Sequence, residues 1–132
     1  MDKTVGDDER MAEKPDKKNE RRKLFIRTKK LMLDQDDILF IESRAKKVEI
    51  HISGAQENIE IYATMEELME QLGESFYRCH RAYIVNMAYI AEYEKGSVTL
   101  TSGDEVYVAK KKFKTFVNAY QCYLKTGAVP GV

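Results

Sequence analysis

A mostly β domain with two short helices is what this sequence predicts, on three observations. From Leu24 onward, short apolar runs alternate with polar or glycine-bearing breaks, the pattern of strands joined by tight turns. Two segments depart from that rhythm and repeat at helical spacing: Met65, Leu68, Met69 and Leu72, then Phe113, Phe116, Val117, Tyr120 and Leu124. The chain has 132 residues, enough for one modest core.

Taken in order, residues 1–23 hold eight basic and seven acidic side chains and little that is apolar. Such a segment cannot bury enough surface to offset its ordering entropy, so it is predicted to be a disordered charged tail. Residues 24–125 form the predicted domain, and residues 126–132 a short C-terminal tail. LFIR (24–27) and LML (31–33) flank Thr28-Lys29-Lys30 and read as strand, turn, strand. ILFI (38–41) is apolar at every position, as a central strand buried on both faces should be. VEIHIS (48–53) and NIEIY (58–62) alternate with period two. That predicts a buried row of Val48, Ile50 and Ile52 and a wet row of Glu49, His51 and Ser53.

Thr64 and Glu67 form a capping box at the start of the first helix, and Gly73 is a natural stop. The acidic side chains of this helix, Glu66, Glu67 and Glu70, would repel a polyanion, which predicts that it lies away from any nucleic acid. FYRCHRAYIVNMAYI (76–90) places a basic cluster beside an apolar strand, with Asn86 expected to fix the turn that follows. The turn-like segments EKGS and TSGDE lie either side of SVTLT, and EVYVA (105–109) is the last strand, with Val106 and Val108 on one face. The count is eight or nine strands and two helices.

Composition narrows the function classes. Lysine plus arginine and aspartate plus glutamate each total 22, so net charge is zero and charge distribution matters more than its sum. No apolar run reaches the roughly 18–20 residues that cross a bilayer, and no secretory leader is evident; the expected location is cytoplasmic. Two cysteines, Cys79 and Cys122, make no disulfide framework. A phosphate-cradling glycine loop, a nucleophile elbow and paired catalytic acids are all missing. No enzyme activity, cofactor or small-molecule substrate is therefore expected. His51, Cys79, His80 and Cys122 lack the tight spacing of a zinc site, so no metal is expected either.

Basic residues do cluster, at three predicted strand ends: Arg44, Lys46 and Lys47; Arg78, His80 and Arg81; Lys110, Lys111, Lys112 and Lys114. Three loops sharing one rim would make a surface able to follow phosphates and reach base edges of double-stranded DNA. For the middle cluster alone, merely solvated flanking charges are an equal reading. A protein-interaction module, docking the same rim on a membrane or cytosolic regulatory protein, is the alternative.

The motifs DDILFIE (36–42), the T-x-E-E-L helix start, FYRCHRAYIVNMAYI and VYVAKKKFKTF occur in that order. Together they resemble the LytTR DNA-binding domain, the output module of many bacterial response regulators. The resemblance implies packed antiparallel β-sheets whose loops, rather than a recognition helix, enter DNA grooves at promoter sites that are often repeated, with self-association there. It implies one contact near Lys46 and Lys47, a second at Arg81 and a third at Lys110 or Lys111, with Arg78 and His80 supporting or touching phosphate and Lys112 on phosphate. Ala82 and Ala109-Lys110 depart from the family's serine and Ser-Arg. Ala109 cannot cap the last helix, and Lys110 offers a point charge without arginine's fork. Cys79 is similar to a cysteine of accessory-gene-regulator-type members whose oxidation weakens binding. Its basic neighbours would favour a thiolate, while a small buried strand residue is the plainer reading.

Overall fold

Ten strands and two helices run between Lys23 and Lys125 in the computed structural model, which describes residues 22–126. In chain order they are β1 (Lys23–Ile26), β2 (Leu31–Asp34), β3 (Ile38–Arg44), β4 (Lys47–Ile52), β5 (Ile59–Ile61), α1 (Met65–Gln71), β6 (Phe76–His80), β7 (Tyr83–Asn86), β8 (Ile90–Glu94), β9 (Ser97–Leu100), β10 (Glu105–Tyr107) and α2 (Phe113–Lys125). Single 3-10 turns precede β3, β8 and α2. The mostly β architecture with two helices is as the sequence predicts. Most of the expected N-terminal tail, and the C-terminal tail beyond Thr126, lie outside the described residues. Lys23 already belongs to β1, and the Arg22 carbonyl accepts from the Gln35 N–H at 2.9 Å.

β3 is the middle of a five-stranded antiparallel sheet, ordered β5-β4-β3-β7-β6. Its Ile38 to Ile41 are all buried because the sheet is covered on both sides. On one side Ile41, Val48, Ile50 and Ile84 pack with the β1–β2 hairpin and α1; on the other Phe40, Cys79 and Val85 pack with α2 and the β8–β9–β10 sheet. Each fully buried aliphatic side chain contributes about 1.5–3 kcal/mol. The second core is aromatic: Phe116 meets Tyr93 edge-on at 5.9 Å and stacks with Tyr120 at 6.1 Å.

Two expectations need correction. The row opposite Val48 and Ile50 is only partly wet: Glu49 and His51 are half-buried, and His51 stacks on Phe40 at 3.9 Å. On α2 the buried positions are Phe116 and Tyr123, while Leu124 is 57% exposed. The docked stripe is therefore centred one residue earlier than Leu124.

Polar side chains close the joints. Thr64 and Glu67 form the predicted capping box. Asn86, 2% exposed, accepts from the Ala88 N–H and donates to the Ile38 carbonyl at 2.9 Å, so it fixes the turn and also ties it to β3. Gln35 is the residue sequence reading passed over. Its amide donates to the carbonyls of Lys23 and Gln71 and accepts from the Gly73 N–H, each at 2.9 Å. This bond explains the end of α1 better than a left-handed glycine, because Gly73 is not among the positive-φ glycines. Gln71 in turn bonds the N–H and carbonyl of Phe25, tying β1 to the end of α1 and satisfying that backbone.

Gln35→Ala should lower unfolding free energy by about 2–4 kcal/mol, since it strands buried backbone groups. The exposed control Gln56→Ala should stay within about 0.5 kcal/mol; urea denaturation of both variants measures the difference.

Candidate nucleic-acid interface

The three basic clusters meet at one end of the five-stranded sheet. The β3–β4 turn closes on the pair Arg44–Lys47, with Ala45 in the left-handed region at φ 57°. β3 runs antiparallel beside β7, and just past their ladder the Ser43 N–H donates to the Ala82 carbonyl at 2.8 Å. That bond sets the first turn against the β6–β7 turn, where Arg81 and Ala82 join His80 to Tyr83. The third loop docks on β6: the Ala109 N–H donates to the Cys79 carbonyl at 2.7 Å and Lys112 Nζ to the Arg78 carbonyl at 3.1 Å. The Arg81 turn is thus linked to both of the others.

Within this rim nine of the basic candidates divide into two kinds. Arg44 pairs with Glu49 at 2.8 Å, and the hydrogen bond raises its pKa. Lys47 lies 3.5 Å from Glu60, whose charge raises its pKa, and 5.0 Å over the Tyr62 ring. Arg78 Nη1 donates to Glu66 at 2.8 Å and Nη2 to the Arg81 carbonyl at 2.9 Å. His80 Nδ1 accepts from the Ala82 N–H at 3.0 Å, which leaves the neutral ring's proton on Nε2. Lys112 is half-buried on the Arg78 carbonyl. Lys46, Arg81, Lys110 and Lys111, by contrast, are exposed and make no side-chain hydrogen bond or ion pair among the described residues. Each loop therefore offers at least one uncommitted cation.

The structure bears on three sequence readings here. Of the two roles offered for Arg78, supporting or touching phosphate, its hydrogen bonds fit the supporting one, and Lys112 also bonds a backbone carbonyl of its own protein. The acidic helix does not stand apart from the basic rim, because Glu66 at the start of α1 grips Arg78. Period-two counting from Phe76 could have found this, since it places Arg78 on the α1-covered face. Finally, Cys79 is fully buried, and burial pushes its thiol up to about 12. Desolvation outweighs the effects that favour a thiolate, a backbone hydrogen bond first and the charge of Lys112 after it. Its Sγ sits 3.4 Å from the Tyr107 carbonyl, as a buried strand residue would.

Of the four residues weighed as zinc donors, His51 alone joins a cluster of three donors among the described residues, with Glu42 and Glu49. The Glu49 oxygens already accept from Arg44 and Asn58. The Asn58 bond, followed by Arg44, holds the Glu49 carboxyl below its usual range. Ala109 starts the last 3-10 turn with no side-chain cap, as its identity requires.

Known proteins share this fold. The family described as the LytTr DNA-binding domain matches residues 28–121. The chain belongs to the LytTR family. Accessory gene regulator protein A of Staphylococcus aureus strain N315 is 31% identical over 90 residues, covering 67% of this chain and 31% of that protein. Its counterpart in Staphylococcus epidermidis strain ATCC 12228 is 42% identical over 53 residues, 39% of this chain and 21% of that protein. The LytTR match thus spans about a third or less of those relatives' length. Among solved structures, the LytTr DNA-binding domain of a Bacillus cereus protein, described as a methyl-accepting/DNA response regulator, superposes with a TM-score of 0.61. It is 20% identical and covers 75% of this chain and 94% of that one, which shows the shared LytTR fold. No described helix is long and apolar enough to cross a membrane.

Iodoacetamide at pH 8 should alkylate the exposed Cys122 and spare Cys79 until denaturant is added, as peptide mass spectrometry would report. Equal labelling of both native thiols would contradict the burial of Cys79.

Proposed function

We propose that this LytTR domain is a sequence-specific transcription regulator that presents three loops to grooves of double-stranded DNA, on repeated promoter sites. One observation carries the reading: each loop at the shared end holds an exposed cation with no partner among the described residues, namely Lys46, Arg81, and Lys110 with Lys111. Free cations are what phosphate neutralisation and counterion release require. Arg81, the arginine of the middle turn, has the fork suited to guanine O6 and N7. Lys46, Lys110 and Lys111 supply point charges that position the domain on the backbone.

Both α-helices pack against the two cores, which supports recognition by loops. The family's role supports a non-enzymatic function. Self-association on adjacent sites, docking of a regulatory protein, and a cytoplasmic setting are parts of the same proposal. They rest on the relatives named as gene regulators.

Selection of bound duplexes from a random library should return a preferred sequence, with affinity falling steeply as salt rises. Against that sequence, Arg81→Ala should cost about 1–3 kcal/mol and flatten the preference, while Lys46→Ala should weaken all duplexes and reduce the salt slope by about 1. Fluorescence anisotropy over a salt series measures both. An absence of preference at every salt concentration would favour a protein partner for the rim.

A further inference from the structure

Arg78 is half-buried, and its guanidinium bonds the turn that carries Arg81. Its side chain is 27% exposed, with Nη1 on Glu66 at 2.8 Å and Nη2 on the Arg81 carbonyl at 2.9 Å. The Arg81–Ala82 peptide is thereby held from both ends, because its N–H donates to His80 Nδ1 at 3.0 Å. The following carbonyl, of Ala82, is fixed by the Ser43 N–H. Arg78 also serves the neighbouring loop, since its own backbone carbonyl receives Lys112 Nζ.

Glu66 is what aims this fork. It lies in the first turn of α1, where the helix dipole favours a carboxylate, and the Arg78 hydrogen bond holds its carboxyl below the usual range. A guanidinium is planar, so fixing one nitrogen restricts where the other points. Being 73% exposed, the Glu66 carboxylate adds little to folding stability. Its effect falls instead on the orientation of the Arg81 turn, and pre-set geometry spares ordering cost when a ligand binds.

We infer that Glu66, acting through Arg78, is a positioning residue for DNA recognition that pre-orients Arg81. This rests on the reading of Arg81 as the central contact. It also makes a counter-intuitive claim about sign. Bulk electrostatics says that deleting an acid beside a polyanion tightens binding; the brace says that deleting this acid weakens it.

The test compares Glu66→Ala with Glu70→Ala, both exposed on α1 and equal in charge change, on the duplex selected by the wild-type domain and on a scrambled duplex. Glu66→Ala should lose about fivefold to tenfold in affinity for the selected duplex, with scrambled binding unchanged or tighter and thermal melting unchanged. Glu70→Ala should leave both affinities equal or slightly tighter. Placed in an Arg81→Ala background, Glu66→Ala should have no further effect on the selected duplex. Unchanged or tighter binding by Glu66→Ala overturns the brace, as does an equal loss in Glu70→Ala or a loss that persists without Arg81. A wild-type domain that shows no preference between the duplexes overturns the DNA reading itself, and the brace with it.

Discussion

The antiparallel pairing of β3 with β7 is the constraint on which the rest depends. Phe40 lies opposite Val85 and Ile41 opposite Ile84, and all four side chains are buried. A slip of one residue would turn side chains fitted to one core into the other, where their shape no longer matches the packing. The same register continues into the bond between Ser43 and Ala82. The relative height of the first two turns is therefore protected by the core, although neither turn is buried.

Covering both faces of the central sheet has a second effect. Hairpin and α1 occupy one face, α2 and the second sheet the other, so strand ends and edges are what the sheet leaves for a partner. Acids then shape the basic rim rather than cancelling it. Glu49 holds Arg44, Glu60 holds Lys47 and Glu66 holds Arg78. This is how a chain with zero net charge can still display uncommitted cations on each loop.

Much of the fold was legible because strong local signals agreed with the tertiary result. The unbroken ILFI run marked the central strand, and Thr64 with Glu67 marked a helix start to the residue. Legibility stopped where a side chain's role depends on a distant segment. Gln35 reads as an ordinary loop residue until Lys23, Gln71 and Gly73 converge on it. His51 reads as a wet position until α2 and the second sheet cover the far face and Phe40 stacks against it. At the site, the three basic clusters could be counted in advance, but not which cations were already engaged. Arg78 and Arg81 are three positions apart, and only the approach of α1 makes one a brace and leaves the other free. For Cys79 the plainer reading, a small buried strand residue, is what the structure shows; only the thiolate favoured by its charged sequence neighbours fails, because its side chain faces the core.

The uncommitted cations share a property that matters over evolutionary time. Lys46, Arg81, Lys110 and Lys111 touch little of their own protein, so substitution at them disturbs folding far less than substitution at the braced residues around them. Under the DNA-binding reading, recognition is separable from architecture: relatives could drift to new operator sequences by changing a few loop-tip letters. The frame of Ser43, Arg78, His80 and Asn86 would be inherited intact.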